Sequence, residues 1–484
     1  MRRGPAVILL AALCGCAVGP DYKRPDVEVG AAYREAAGWK PAQPRDEASR
    51  GKWWEVFGDP RLNALVESVD ISNQNVLFAE ARFRQARALV ASSRSAFFPT
   101  LDADVSVTRS RSPTGVIGGT TAGRVITNRS ASLSAGWEAD LWGGLRRSVE
   151  SSEANAQAGA AELAAARLSA QAELALNYFQ LRVLDAQRQL LGDTVAAFER
   201  SLELSRNRYS AGVAAKVDVV QAETQLKSTQ AQAIDLGVQR AQLEHAIAIL
   251  VGRPPAAFSL EPVPFAVAMP HVPVGLPSEL LERRPDIAAA ERRVAAANAQ
   301  IGVAKAAYFP SLTLSATSGF RSADASQWLT APSRFWSIGP ALAQSIFDAG
   351  LRRAQSEQAI AAYDATVAEY RQAVLTGFQE VEDNLAALRI LEEEAKVQED
   401  AVRAARESVE LTLNQYKAGI VSYINVVTVQ TTQLNNERAA VGVLGRRLVA
   451  AVTLVKALGG GWSAVELPDP EALRARSRQA EAAR

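Results

Sequence analysis

Ala96-Phe97-Phe98-Pro99-Thr100-Leu101 and Ala307-Tyr308-Phe309-Pro310-Ser311-Leu312 are two copies of one short stretch, and this stretch decides the fold. Each copy follows an Ala-rich pattern typical of a helix and precedes the alternating pattern of a strand. Proline ends the helix because it lacks an N–H and its ring clashes with the preceding turn. The aromatic pair suits a membrane–water boundary, although core aromatics at an ordinary helix-to-strand turn would look the same. The candidate interface residues are Phe97, Phe98, Pro99, Tyr308, Phe309 and Pro310.

The recurrence extends well beyond these two joints. Leu145-Arg146-Arg147 recurs as Leu351-Arg352-Arg353, and later equivalents lie 206 or 207 positions apart in the same order. This recurrence predicts an internal duplication in which each half runs helix, hairpin, very long helix, turn and helix. The equivalent positions at the turns are Tyr209 and Tyr416, Ala211 and Ala418, and Gly212 and Gly419.

The same patterns predict the segment boundaries. We expect a signal peptide at 1–15, an arm at 16–60, repeat 1 at 61–251, a proline-rich linker at 252–277, repeat 2 at 278–458 and a tail at 459–484. The hairpins are expected at about 100–140 and 311–347, the long helices at 144–208 and 350–416, and the helices after them at 216–250 and 423–458. A single helix is expected over 61–97, the loop of the first hairpin over 109–129, and the return strand of the second hairpin over Trp336 to Ile346.

Composition excludes several classes of function. The chain has 484 residues and a formal net charge of +1, so it has no excess of the basic side chains that a nucleic-acid partner would require. After the N-terminus no apolar run reaches the ~18–20 residues of a membrane-spanning helix, so any span must be made of strands. The two histidines fit no zinc or nucleophile spacing, and Gly459-Gly460-Gly461 lacks the Lys of a phosphate loop. We therefore predict neither an enzyme nor a metal site.

The two cysteines, Cys14 and Cys16, both lie in the N-terminal segment. Arg2 and Arg3 precede an apolar run, as in a bacterial secretory signal. The segment resembles a lipoprotein signal, which implies that Cys16 is lipidated and becomes the new N-terminus. A plain signal peptide with an incidental cysteine is the alternative. Ala17 follows instead of the Asp that commonly retains lipoproteins at the inner membrane, which implies the outer membrane.

The hairpin strands alternate in polarity and have about the ~9–11 residues that cross a bilayer when tilted. Backbone groups in lipid must all be paired, so an open four-stranded sheet is not viable there. Two copies of the chain would give eight strands and three would give twelve with a pore, and strand counting leaves both open. A soluble sandwich with a half-buried face is the alternative. On the first strand, Leu101, Ala103, Val105 and Val107 alternate with Asp102, Asp104, Ser106 and Thr108.

The two long helices carry apolar residues at steps of three and four, the seam of a coiled coil. At ~1.5 Å per residue each is on the order of 100 Å long and belongs in a bundle or tube. Gly212 and Gly419 end them, and these turns form tips far from the hairpins. In the arm, Trp53, Trp54 and Phe57 are either anchors on a neighbouring surface or a core cluster.

Four blocks of sequence are distinctive: Val18-Gly19-Pro20-Asp21-Tyr22, Trp53-Trp54 with Phe57-Gly58-Asp59-Pro60, Leu276 to Ile287, and Lys456 to Trp462. They resemble the outer membrane factor lipoproteins of tripartite efflux systems, a TolC-like family of the OprM/NodT type. The resemblance covers essentially the whole chain. It implies a mainly α protein with membrane β-structure, in which a homotrimer forms a twelve-stranded β-barrel, four strands per chain, on a long periplasmic coiled-coil barrel.

The resemblance also implies a function: passive efflux of drugs or xenobiotics through the outer membrane of a Gram-negative bacterium. An inner-membrane RND-type transporter and a periplasmic adaptor would deliver the substrates, and the only cofactor would be the lipid on Cys16. The tips at Tyr209, Ala211, Gly212, Tyr416, Ala418 and Gly419 would meet the adaptor and close the resting tunnel. A metal-ion efflux or type I secretion duct of the same fold is the alternative. A periplasmic scaffold lipoprotein that does not span the membrane is an alternative of another class.

The residues at the positions where the family closes its tunnel depart from the family pattern. Family members often carry an acidic ring nine or twelve residues after the second-tip Tyr, where this chain has Asn425 and Thr428. The first tip keeps Asp218 at the ninth position. Asp218 with Asn425 is the candidate substitute gate, although Asp218 could instead cap the helix that follows Gly212.

Overall fold

The computed structural model describes residues 17–27, 30, 33–36, 52–111, 125–263, 269–270 and 280–474. The helices are α1 Pro60–Ser72, α2 Gln74–Ser95, α3 Gly144–Ser210, α4 Lys216–Leu250, α5 Leu280–Arg283, α6 Pro285–Ala306, α7 Leu351–Lys417 and α8 Tyr423–Ala457. The strands are β1 Thr100–Arg111, β2 Val125–Ala139, β3 Ser311–Ser322 and β4 Arg334–Ala343. The signal segment and Cys16 lie outside the described residues, as do parts of the arm, the linker and the tail.

The two halves repeat the same element order. The long helices α3 and α7 each have 67 residues and pack along the shorter helices α4 and α8. Each begins at an equivalent ion pair: Arg146 with Asp140 at 3.1 Å, and Arg352 with Asp348 at 2.5 Å. The repeated Leu-Arg-Arg sequence therefore marks the point where each strand returns into its long helix.

The prediction of one helix over 61–97 is wrong, because Asn73 interrupts it with extended backbone. The Asn73 side chain accepts hydrogen bonds from the amides of Asn75 and Val76, which caps α2. Its amide nitrogen donates to the Leu250 carbonyl at the end of α4, at 2.9 Å. Helices α2 and α4 therefore meet end to end along α3.

Arg284 makes the equivalent junction in the second half. It precedes α6, and its guanidinium donates to the Ala457 carbonyl at the end of α8, at 3.1 Å. The same guanidinium pairs with Asp286 and Glu380, each at 2.6 Å. In each half, two shorter helices therefore stack end to end beside one long helix.

The strands form one antiparallel sheet in the order β1-β2-β3-β4. The register places most apolar residues of the four strands on one face. That face contains Leu101, Ala103 and Val105 of β1, Ala131, Leu133, Ala135 and Trp137 of β2, Leu312, Leu314 and Ala316 of β3, and Ile338, Pro340 and Leu342 of β4. The opposite face is mostly Ser, Thr, Asp and Gly. Strands β1 and β4 form the two edges.

The hairpin ends differ from their predicted positions. The loop expected over 109–129 is too long, because residues 108–111 still pair with residues 125–128. The strand expected to reach Ile346 ends at Ala343, which pairs with Ser311, the first residue of β3. Pro310 lacks the N–H that would extend this ladder.

The largest buried cluster lies where the arm, α1, α3, α7 and α8 meet. Trp53, Trp54 and Phe57 are buried there, and Phe57 packs 4.9 Å from the ring of Phe179. The Trp53 indole donates to Gln171 at 3.2 Å. These aromatics therefore belong to the core of their own chain. None of the helices in the described part of the chain has the length and hydropathy that a membrane-spanning helix needs.

Candidate functional site: helix tips and strand joints

The first tip is the turn between α3 and α4. Gly212 has φ of 73°, and its amide donates to the Tyr209 carbonyl at 3.0 Å. The Val213 amide donates to the Arg208 carbonyl at 2.9 Å, which closes the helix end in the manner that a left-handed glycine permits. Tyr209 itself is 48% exposed.

The second tip has the same backbone between α7 and α8. Gly419 has φ of 76°, its amide donates to the Tyr416 carbonyl at 3.0 Å, and Ile420 donates to Gln415 at 2.9 Å. Tyr416, however, is only 3% exposed and packs edge-on against Tyr423, with ring centroids 5.3 Å apart. The tips are equivalent in backbone and different in side-chain burial. Ala211 and Ala418 each donate to the carbonyl four residues earlier.

Arg208 connects the two tips within one chain. Its guanidinium lies 4.9 Å from the centre of the Tyr416 ring, a cation–π distance, and donates to the Lys417 carbonyl at 2.9 Å. The residue before the tyrosine of the second tip is the uncharged Gln415, so the first tip alone has an arginine at this position. The pairing could be found from the sequence only by knowing that the two tips are adjacent.

The candidate gate residues do not form one group within a chain. Asp218 is half-buried in the first turn of α4, and no described hydrogen bond joins its carboxylate to a backbone amide of that turn, as a capping role would require. Asn425 is exposed and donates to Ser422 at 3.3 Å, and the exposed Thr428 hydroxyl donates to the Ile424 carbonyl at 2.9 Å. No described hydrogen bond joins Asp218 to either residue.

Among the titratable groups at the tips, Tyr423 is the one whose pKa the packing changes most. Burial raises its pKa to about 12, a hydrogen bond with Ser201 opposes the rise, and the nearby Tyr416 and Asp218 add to it. Asp218 therefore lies close enough to Tyr423 to affect its charge.

The first strand joint is the turn from α2 into β1. The Phe97 and Phe98 amides donate to the carbonyls of the last helical turn. The Trp137 indole of the neighbouring strand donates to the Phe97 carbonyl at 2.9 Å. Phe98 is 66% exposed, and Pro99 is also exposed.

The second joint uses another tryptophan. The Trp142 ring stacks on Phe309 at 4.7 Å, and its indole donates to the Pro310 carbonyl at 2.8 Å. Tyr308 and Phe309 are each about two-fifths exposed. Each joint thus has one carbonyl held by an indole from the first hairpin. Sequence reasoning did not assign these tryptophans a role, although both lie at the end of that hairpin.

The first described residues of the chain lie beside the second joint. Val18 donates its amide to the Trp142 carbonyl at 2.9 Å. A side chain at Gly143, where φ is 80°, would collide with the backbone of Ala17. The residue that follows Cys16 is therefore placed at the base of the sheet.

A family model described as outer membrane efflux protein matches residues 65–253 and, separately, residues 276–460. The chain belongs to the outer membrane efflux protein family. Within this family, the probable efflux pump outer membrane protein TtgC of Pseudomonas putida is 31% identical over 453 residues, or 93% of each chain. The pyoverdine export outer membrane protein OpmQ of Pseudomonas aeruginosa is 31% identical over 459 residues, 94% of this chain and 95% of OpmQ.

The solved outer-membrane channel OprN has the same fold, with a TM-score of 0.86 and 32% identity over 92% of this chain and 100% of OprN. The two separate matches to the family model confirm the predicted duplication. The resemblance inferred from the sequence is confirmed, and so is the mainly α, TolC-like fold class. This member of the outer membrane efflux protein family is an efflux component of the outer membrane of a Gram-negative bacterium.

Proposed function

We propose that three copies of the chain close their sheets into one twelve-stranded barrel across the outer membrane. The observation that carries this proposal is the sheet itself, which has an apolar face across all four strands and two edges at β1 and β4. The apolar face suits lipid and the polar face suits an aqueous lumen. Pairing β4 of one copy with β1 of the next satisfies the backbone groups at both edges. Three copies leave a pore, whereas eight strands would be filled by side chains.

The helices would continue this pore as a periplasmic tunnel that conducts drugs or xenobiotics passively. An inner-membrane RND-type transporter would supply the energy and a periplasmic adaptor would join it to the tips. Exposed apolar side chains at both tips support an adaptor contact: Val213, Val217, Ile420 and Ile424. The proposed function is transport and includes no catalytic step.

Cys16 would carry the membrane anchor. Its neighbours Ala17 and Val18 lie against Gly143 and Trp142, at the end of the sheet where both strand joints are found. An acyl chain on Cys16 would therefore start near the proposed membrane boundary. Intact mass measurement of the purified protein tests this directly, because Cys16→Ser should lose the mass of the lipid.

The test of the channel is the mass of the detergent-extracted protein with detergent subtracted, followed by recording in a planar bilayer. We expect a trimer with discrete conductance steps. A monomer without conductance would contradict the barrel, because four strands would leave open edges in lipid, and it would favour the periplasmic scaffold instead.

A further inference from the structure

The two strand joints share a sequence motif, but the cavities beside them differ in charge. The cavity at the first joint, here called the joint-1 pocket, has a volume of about 470 Å³. Its lining includes Arg94, Phe97, Phe98, Arg146, Glu153 and Arg474. The cavity at the second joint has about 450 Å³, and its lining contains Glu138 and Asp140 but no Lys or Arg.

Two of the arginines in the joint-1 pocket already have carboxylate partners. Arg146 pairs with Asp140 at 3.1 Å, and Arg474 pairs with Glu153 at 2.7 Å. Glu150, also in the lining, pairs with Arg147 at 2.8 Å. Arg94 has no ion pair or side-chain hydrogen bond with any residue that the structure describes, so its charge is available to an anion.

The C-terminal segment, as far as the structure describes it, places Arg474 in this pocket. Gln157 donates to the Pro468 carbonyl at 3.0 Å, and Leu473 is buried against Val90 and Ala156, which leads the segment along α2 and α3 to Arg474. Among the described residues that line the two cavities, arginines therefore lie at the first joint and not at the second.

We propose that the joint-1 pocket binds the phosphate headgroup of a membrane phospholipid, with Arg94 as its cationic partner. A guanidinium matches the geometry of phosphate oxygens, and basic pockets beside membrane-spanning elements bind lipid headgroups. Phe98, which is largely exposed beside it, would contact the acyl chains at the level where aromatic residues border a bilayer. This location rests on the proposed barrel, because only then does the joint lie at the membrane surface.

The test is native mass spectrometry of the full-length trimer, using protein that already conducts in planar bilayers. The probe is dioleoyl phosphatidylglycerol, compared with dioleoylglycerol, which lacks the phosphate, and with inorganic phosphate, which lacks the chains. We expect Arg94→Ala to lower phosphatidylglycerol retention about tenfold, the effect of one charge-assisted hydrogen bond, and Arg94→Lys to restore part of it. Lys305→Ala is the matched control, because Lys305 lies three residues before Tyr308 as Arg94 lies three before Phe97.

Retention by Arg94→Ala equal to that of the unaltered protein would overturn the proposal. So would an equal loss in Lys305→Ala, or equal retention of dioleoylglycerol, which would indicate acyl contact alone. Displacement of the lipid by inorganic phosphate at equal concentration would show a free-phosphate site and would also overturn it. Since every variant is first shown to conduct as a trimer, a failed barrel cannot be mistaken for a failed lipid site.

Discussion

The two helix tips have one backbone and two different side-chain environments. Both long helices end at a glycine with positive φ and the same pair of hydrogen bonds, but Tyr209 is exposed while Tyr416 is buried against Tyr423. At the position equivalent to Tyr423, the first half has the exposed Lys216. The two tips thus share the turn, which depends on glycine, but differ in packing, because only the Tyr416 ring of the second tip supports the guanidinium of Arg208.

The helix junctions differ in the same way. Asn73 in the first half and Arg284 in the second each bind the carbonyl that ends the neighbouring helix. Asn73 also caps its own helix, whereas Arg284 adds two carboxylate partners. One backbone arrangement is therefore stabilised by a neutral amide in one half and by an ionic cluster in the other.

The largest expected difference in stability is between alanine variants of the two tip tyrosines, Tyr416 and Tyr209. Tyr416→Ala should lower the free energy of unfolding by about 3 kcal/mol, because it leaves a cavity in a buried cluster, whereas Tyr209→Ala should cost less than about 0.5 kcal/mol. Thermal unfolding followed by circular dichroism measures both. Tyr416→Phe is the control: the buried hydroxyl has no described hydrogen-bond partner, so its removal should be nearly neutral. Equal losses for the two alanine variants would contradict the difference between the tips.

The helix junctions provide the next comparison. Arg284→Ala removes a buried guanidinium that holds three partners, and should cost about 2–3 kcal/mol, less than for a wholly buried pair because both carboxylates are partly exposed. Asn73→Ala loses a cap and one hydrogen bond and should cost about 1–2 kcal/mol. Urea unfolding of the two variants gives the comparison. If Asn73→Ala lost more stability than Arg284→Ala, the ionic cluster would not stabilise its junction more than the neutral amide does.

Periodicity and proline placement were enough to predict the architecture. The helix-to-strand joints follow from Pro99 and Pro310, because proline restricts φ and lacks an N–H, and the ends of the long helices follow from Gly212 and Gly419, because glycine permits the positive φ of such a turn. The break at Asn73 was missed because asparagine is permitted within a helix. Its cap on Asn75 and Val76 is local, but its hydrogen bond to the Leu250 carbonyl depends on the packing of α4.

The side-chain partners at the sites were less predictable than the elements. Arg208 and Tyr416 are more than two hundred residues apart, and so are Gln157 and Pro468. Nothing in local patterning pairs such residues, because their proximity depends on how the two halves pack together. The same holds for Trp142, whose ring covers Phe309 of the opposite half.

Asp218 offers a functional comparison between the tips. Asp218→Ala should leave trimer assembly intact and raise single-channel conductance, because it removes the acidic side chain that the second tip lacks at Asn425. Asn425→Ala is the matched control and should change conductance less. The single-channel conductance of both variants, recorded in planar bilayers at the same salt concentration, tests this expectation. Unchanged conductance in Asp218→Ala would remove this residue from the gate.

The smallest expected effect is confined to alkaline solution and to the second tip. Burial raises the pKa of Tyr423 to about 12, while an unfolded tyrosine ionises near 10. The folded chain therefore keeps a proton that the unfolded chain releases, so this contribution to stability is fully present below about pH 10 and is lost as the pH rises through about 12.

Tyr423→Phe should abolish this part of the loss, whereas Lys216→Ala, at the equivalent position of the first tip, should leave it unchanged. Unfolding measured between pH 9 and pH 11, at about one unit on either side of the unfolded value, compares the slopes. If Tyr423→Phe and the unaltered protein lost stability at the same rate with pH, the packing of the second tip would not control the ionisation of Tyr423.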